Sequence, residues 1–365
     1  MKIRDVQLSI LRTELNEIVI PTQGTVDKLP QLVLVSISTE EGISGHYVSY
    51  MIPAKAVEHA AEVAKTILVG RDTYDVAALS HEMTNALPPY SNPPALAAAD
   101  ACLWDINAKA ADLPLYKYLG AHRDKIRAYA STVAYPTIEG YLDAISAAVA
   151  EGFTAVKFHP FREAGRDIEL AEAIRHEFPH IDLMIDPVCG YTVPEALAVG
   201  KVLQDLNFYW FENPISDLDL KGLSFLASKL DVPLAVGEQN FAGFPALREY
   251  LTSGVGFYVR TLGEYSGGVT QLMKSAHACE AFGLNYEIHS YGPTLNLAMN
   301  LNVALAVGNC EFAEIMVPQN LLSMGMDDAD LPIVDGEGFI AAPHKPGLGY
   351  AIDHDAVENL TIQRF

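Results

Sequence analysis

The chain has 365 residues, half of them hydrophobic and only 19% charged, which suits one large domain with an appendage or two domains around sizeable cores. A formal net charge of -22, with no basic stretch to offset it, argues against a nucleic-acid partner. Cys102, Cys189, Cys279 and Cys310 are scattered without a CxxC pair, so neither a zinc knuckle nor a disulfide framework is indicated.

Met1-Lys2-Ile3-Arg4-Asp5-Val6-Gln7 alternates apolar and polar residues and has no apolar run of the signal-peptide kind. No apolar run reaches membrane-spanning length. A reduced, cytoplasmic protein with no membrane partner is expected. Residues 2–12 read as a strand, residues 21–30 as a polar flexible loop, and residues 31–38 as a second strand. A turn through Gly42 and Gly45 leads to a third strand at 46–50, and helical patterns follow at 54–68, 74–86 and 94–109. The first 115 or so residues therefore read as an α+β unit.

From about Lys125 the rhythm changes to apolar strand-like runs alternating with amphipathic helical segments such as 137–151 and 165–177. The runs fall at 126–132, 155–159, 183–186, 208–212, 234–238, 257–262, 286–289 and 312–315. Eight βα-like units in a row favour a closed parallel barrel over an open doubly wound sheet. No GxGxxG or GxxxxGK[ST] follows any of them, which weighs against nucleotide binding. The turn-rich tail ends in one more alternating strand, expected to return to the N-terminal unit.

In a barrel of this kind the reactive groups gather at the C-terminal strand ends. Lys157, His159, Asp186, Glu212, Glu238, Arg260, His289 and Glu314 all fall at or near such ends. Asp186, Glu212 and Glu238 are separated by 26 residues and then 26 again. One strand-end carboxylate is ordinarily a cap for the next helix. Three at matched spacing would repel one another unless a cation lay among them, and an all-oxygen donor set favours Mg²⁺ before Mn²⁺. Lys157 and His159, at i and i+2, share a strand face. Either is a catalytic candidate or a structural partner of a carboxylate, and the same holds for His289. Arg260 and Glu314 either bind substrate or neutralise each other in the barrel mouth. Tyr291 and Cys189 read as packing or pocket wall.

The sequence resembles the enolase superfamily in its mandelate racemase and acid-sugar dehydratase branch. The resemblance is carried by residues 98–109, Leu113-Pro114-Leu115-Tyr116, the three carboxylates, Gly267-Gly268-Val269-Thr270 and Pro346-Gly347-Leu348-Gly349. It implies an α/β fold: a (β/α)7β modified TIM barrel, residues 121–339, with an N-terminal α+β capping domain, residues 1–120, completed by the tail at 340–365. It also implies Mg²⁺ held by Asp186, Glu212 and Glu238, and loops near 16–30 and 46–53 folding over the site to select substrate. The implied chemistry is abstraction of the proton α to a carboxylate, giving an enediolate, on a small-molecule carboxylate substrate. Homo-oligomers are common in the branch.

Two departures shape the functional reading. Where most members carry Lys-x-Lys, this chain has Lys157-Phe158-His159, so His159 or Lys157 would be the base. Counting back from Gly267-Gly268 puts Leu262 where an acidic partner of His289 would stand. One base and one acid favour dehydration of a hydroxy or sugar acid to a 2-keto-3-deoxy acid. The alternative is a racemase, epimerase or cycloisomerase using the same enediolate. Outside that chemistry stand a Schiff-base aldolase working through Lys157 and a metal-binding barrel without activity.

Overall fold

The alternating N-terminal stretch forms β1 (Ile3–Leu11), followed by a small hairpin of β2 (Ile18–Ile20) and β3 (Gly24–Val26), then β4 (Leu32–Thr39) and β5 (Ser44–Ser49). The computed structural model describes residues 1–12, 18–20, 24–26, 32–86, 93–238, 244–290, 294–317 and 333–365. The stretch 21–30, expected to be a loop, thus contains a strand, and its other residues lie outside those described. β1, β4 and β5 pair antiparallel, and β15 (Thr361–Arg364) joins the far side of β1 with Ser9 opposite Arg364, so the tail completes the N-terminal sheet as expected. After a 3-10 turn at Ala54–Ala56 come α1 (Val57–Leu68), α2 (Val76–Ala86), α3 (Pro93–Ala110) and α4 (Leu115–Tyr118). From Leu96 to Ala108 α3 is buried on almost every side, Asp100 and Asp105 included, as expected for a helix wedged between this cap and the barrel.

The barrel strands are β6 (Lys125–Thr132), β7 (Ala155–Phe158), β8 (Asp182–Ile185), β9 (Trp210–Glu212), β10 (Leu234–Val236), β11 (Tyr258–Leu262), β12 (Asn285–His289) and β13 (Phe312–Val317). Between them run α5 (Ile138–Ala150), α6 (Ala164–Glu177), α7 (Val193–Asp205), α8 (Leu220–Ala227), α9 (Phe244–Ser253), the short α10 (Gly263–Ser266) with α11 (Val269–Ala281), and α12 (Thr294–Ala306). Eight strands with seven helical connections make a (β/α)7β barrel. Afterwards β14 (Phe339–Ala341) lies antiparallel on β6, and α13 (His354–Leu360) leads into β15. Helix starts carry their own signals: Thr192 and Glu195 form a capping box on α7, and Asp219 caps α8 by accepting from the Gly222 amide at 2.9 Å.

Period-2 alternation stacks the barrel interior in layers. Tyr129, Ala155, Met184, Trp210, Ala235, Tyr258 and Phe312 pack together as an apolar floor. Trp210 meets Tyr258 at 5.2 Å and Tyr129 at 5.5 Å between ring centroids, tilted in the first contact and edge-to-face in the second. Two residues further along the same strands the chain places Lys157, Asp186, Glu212, Arg260 and Glu314. The switch from aromatic to ionic therefore occurs at one level in five strands.

The strand order runs β12-β11-β10-β9-β8-β7-β6-β13, and no ladder rung joins β12 to β13 among the described residues. Hydrogen bonds outside any ladder, most of them to side chains, stitch this seam. Buried Glu287 accepts from the amides of Glu311 at 2.8 Å and Phe312 at 3.2 Å, Glu314 Oε2 accepts from the Ser290 amide at 2.9 Å, and the Tyr286 amide donates to Asn309 O at 2.7 Å.

The Gly267-Gly268 turn has a physical requirement. Both residues have positive φ, +98° and +81°, and a Cβ on Gly268 would stand 2.8 Å from Ala97 O and from Asp100 Oδ2. α3 packs so closely here that Asp100 takes over as the cap of α11, accepting from the Thr270 amide at 2.9 Å and its hydroxyl at 2.5 Å. Burial raises the Asp100 carboxyl to about 7, the Thr270 hydrogen bonds only partly opposing it. Because its folded-state pKa lies above that of an unfolded Asp, its contribution is fully present below about pH 4. That contribution is lost as pH rises through 7. Asp100→Asn, which mimics the protonated carboxyl, should lack this loss. Measured by urea unfolding, the wild type should fall relative to the variant by about 2 kcal/mol between about pH 5.5 and 8. Parallel pH profiles would remove the assignment.

Candidate active site

Lys157, His159, Asp186, Glu212, Glu238, Arg260, His289 and Glu314 lie at or near the C-terminal ends of the barrel strands, and oxygens of Asp186, Glu212 and Glu238 lie within 4.8 Å of one another. Local backbone geometry aims them. After Asp186 the chain enters the left-handed region at Val188 (φ 49°) and Cys189 (φ 58°), and the Val188 amide donates to Asp186 Oδ1 at 2.7 Å. Such φ values are costly for a β-branched residue. The Cys189 amide bonds Asn213 O at 2.7 Å, tying this turn to the one after Glu212, where Asn213 is also left-handed at φ 37°. Gly237 reaches Glu238 with φ +103°; its amide donates to Asp217 Oδ1 at 2.9 Å, and a Cβ there would stand 3.0 Å from Arg260 O.

Under the triad lies a fully buried ionic layer. Lys157 Nζ stands 2.7 Å from Glu212 Oε1, 2.9 Å from Glu314 Oε1 and 3.8 Å from Asp186 Oδ2. Burial opposes its charge, but Glu212 and Glu314 outweigh that and hold the ammonium well above its ordinary pKa. For Glu314, burial is likewise overcome by Lys157, His289 and Arg260, which keep it ionised. Arg260 directs Nε at Glu212 (3.0 Å) and Glu238 (3.3 Å), one terminal nitrogen at Glu314 (3.0 Å) and the other at the Tyr129 hydroxyl (3.0 Å). Of the two roles open to Arg260 and Glu314 in the sequence, the geometry displays mutual neutralisation: each described hydrogen-bond or ion-pair partner of the Arg260 side chain is a carboxylate or a phenol.

The two histidines flank the triad. His159 Nδ1 lies 2.5 Å from the Thr132 carbonyl, a contact that requires hydrogen on Nδ1, so the neutral ring carries its lone pair on Nε2. That nitrogen is 3.3 Å from Asp186 Oδ2. Burial disfavours the charged ring, yet Asp186 overrides it and the pKa rises. Tyr141 Oη donates to His159 O at 2.7 Å and fixes the backbone. His289 Nε2 lies 3.6 Å from Glu238 Oε1 at the other end. Its ladder neighbour on β11 is Leu262, as the count from Gly267-Gly268 gave, and burial lowers its pKa to about 4.

Sequence reading passed over Tyr129, Trp210 and Tyr141. The first two were accessible from strand periodicity, since Trp210 stands two residues before Glu212 and its Nε1 donates to Glu212 Oε2 at 2.9 Å. Tyr141 comes from a helix and had no local signal. Cys189 is half-buried beside the triad, and Tyr291 lies outside the described residues. Of the stretches expected to cover the mouth, 46–53 comprises the end of β5 and the turn after it; in 16–30 only the backbone of 18–20 and 24–26 is described.

Residues 141–356 match the family model for enolase C-terminal domain-like proteins, and residues 9–120 match that of the mandelate racemase / muconate lactonizing enzyme N-terminal domain. The chain belongs to the enolase superfamily. Arabinonate dehydratase of Saccharolobus solfataricus is 28% identical over 341 residues, 90% of either chain. N-succinyl-L-Arg/Lys racemase of Bacillus cereus is 23% identical over 375 residues, 99% of this chain and 98% of the relative. The crystal structure of D-glucarate dehydratase from Agrobacterium tumefaciens, complexed with magnesium, superposes with a TM-score of 0.89 at 27% identity, covering 100% of both chains. This enolase-superfamily protein is therefore an enzyme, a lyase or an isomerase, and the superfamily implies a divalent metal. Three clustered carboxylates of hard oxygen character fit such an ion. Among the described residues no helix is long and apolar enough to cross a membrane.

Proposed function

We propose that the protein is a Mg²⁺-dependent dehydratase of a hydroxy or sugar acid. The observation that carries the reading is the inequality of the two histidines: His159 has its Nδ1 anchored to Thr132 and its Nε2 beside a carboxylate, whereas His289 faces Leu262 on the neighbouring strand. Racemisation needs a competent base on both faces of the α-carbon, and this site provides one.

Asp186, Glu212 and Glu238 would hold the ion. Bound there, it supplies positive charge against a substrate carboxylate, which makes the α-proton acidic enough for a side chain to remove. Lys157, kept as an ammonium, orients the carboxylate end of the substrate and balances the carboxylates around it. His159 Nε2 takes the α-proton, and the electrons of that C–H bond pass into the substrate carboxylate as an enediolate; they then form the C2–C3 double bond as the C3–O bond breaks. The protonated form of His289, made a strong acid by the burial that lowers its pKa to about 4 and with no acidic neighbour on β11 to retain its proton, gives that proton to the departing hydroxyl, which leaves as water. Protonation of the resulting enol at C3 yields the 2-keto-3-deoxy acid.

A screen of acid sugars and amino-acid derivatives with Mg²⁺ tests this reading. Keto acid should form with at least one acid sugar, and chelator should abolish it. The racemase reading, favoured by the Bacillus cereus relative, predicts instead deuterium at the α-carbon of recovered substrate in D₂O without keto acid. Turnover that survives chelator and is trapped on Lys157 by borohydride would replace both with Schiff-base chemistry.

A further inference from the structure

The carboxylate of Glu264 lies outside the reacting groups, fully buried in the short α10 just past Leu262. Both its oxygens are taken by the cap. Tyr47 Oη donates to Oε1 at 3.1 Å and Ser49 Oγ to Oε2 at 3.0 Å, both donors coming from β5. Ser49 Oγ in turn accepts from the amides of Met51 at 3.1 Å and Ile52 at 3.2 Å, which fixes the turn that leaves β5. Tyr265 Oη touches Met51 Sδ at 3.8 Å.

The same carboxylate is connected to His289. The Tyr47 hydroxyl accepts from Asn296 Nδ2 at 2.8 Å, and Asn296 Oδ1 accepts from Asn300 Nδ2 at 3.0 Å. Asn300 Nδ2 also donates to His289 O and to Ser290 Oγ, each at 3.1 Å. The approach is tight, since a Cβ on Gly263 would stand 2.6 Å from Asn300 Oδ1. One unbroken hydrogen-bonded chain thus runs from the turn at 50–52 through Glu264 to the backbone of the strand end that carries His289.

The geometry points to Glu264 as a specificity-positioning residue that latches the 50–52 turn of the cap onto the barrel mouth beside His289. A buried carboxylate is a demanding way to join two parts of a protein, because all its partners must be correctly placed at once. Here the two donors sit on β5 at the root of the turn, and the hydrogen bonds beyond them reach either that turn or the segment behind His289. The latch sets where substrate groups distal to the reacting carbon meet the cap. It rests on the dehydratase reading for what is selected, but not for the mechanical link itself.

The test compares wild type, Glu264→Ala, Glu264→Gln and Ser49→Ala, all Mg²⁺-loaded, by amide hydrogen exchange and by kinetics over the acid-sugar series. In Glu264→Ala and Ser49→Ala the Met51 and Ile52 amides should exchange at least about tenfold faster, while the β1–β4 ladder keeps its protection. The ratio of kcat/KM between the best and second-best substrates should fall about tenfold through KM, with kcat much less affected. Glu264→Gln, which retains one acceptor oxygen and the side-chain volume, should restore most of both. Unchanged exchange at Met51 and Ile52, or a uniform loss of protection across the whole cap sheet, overturns the latch. Should the wild type turn over no acid sugar, the dehydratase reading falls, and the exchange data still decide the latch.

Discussion

His159→Asn should bind the metal as the wild type does and lose about 10²–10⁴-fold in kcat, with kcat/KM falling in parallel. The loss follows from geometry: Nε2 is the imidazole atom left for proton transfer once Nδ1 is committed to the Thr132 carbonyl. Lys157 cannot stand in, because Glu212 and Glu314 hold it as an ammonium and a group that keeps its proton is no base. His289→Asn should behave differently. Proton exchange at the α-carbon in D₂O should persist while keto-acid formation drops, since only the departure of the hydroxyl loses its donor. If both variants retained full activity, the division of roles between the two histidines would be wrong.

Glu212→Ala should be the most damaging single change, in stability as well as in turnover. Glu212 is buried completely and stands at once beside Lys157 Nζ, Arg260 Nε and Trp210 Nε1. Removing it leaves two buried cations with one fewer counter-charge, and breaking a buried ionic arrangement this way costs about 3–5 kcal/mol. Loss of one of three clustered carboxylates should lower kcat/KM by at least about 10³-fold, the equivalent of several kcal/mol of charge stabilisation. Glu212→Gln separates the two effects. It keeps the side-chain volume and an acceptor for Trp210, so denaturant unfolding should show a smaller deficit than Glu212→Ala, while activity stays lost. Near-wild-type activity in Glu212→Gln would exclude this residue as a metal ligand.

Much of this architecture was legible because it is local. Each barrel run is a short apolar segment between turn signals, and each matches a strand, from Lys125–Thr132 to Phe312–Val317. Convergence of Asp186, Glu212 and Glu238 followed from their equal spacing on three consecutive strands, as did the placing of Leu262 beside His289 from the Gly267-Gly268 turn. What escaped depends on contacts distant in sequence. Glu264 is 217 positions from Tyr47, and no pattern in either segment announces the pair. The partners of Arg260 come from four other strands, so its neutralising geometry could be weighed but not assigned. Likewise β3 is three residues long, too short for alternation to register against a polar background.

The seam between β12 and β13, unladdered among the described residues, divides the barrel wall between two kinds of bonding. In the order of strands, β8, β9 and β10 lie across from it, each joined to its neighbours by backbone ladder bonds, and those strands present Asp186, Glu212 and Glu238. On the far side, where β12 ends in His289 and β13 carries Glu314, buried carboxylates take the place of ladder rungs across the seam. An ion held by the triad would thus sit on the continuously laddered arc. The carboxylates and the histidine that faces them across the mouth are placed by different means, the first by adjoining backbone ladders and the second beside a join made without one.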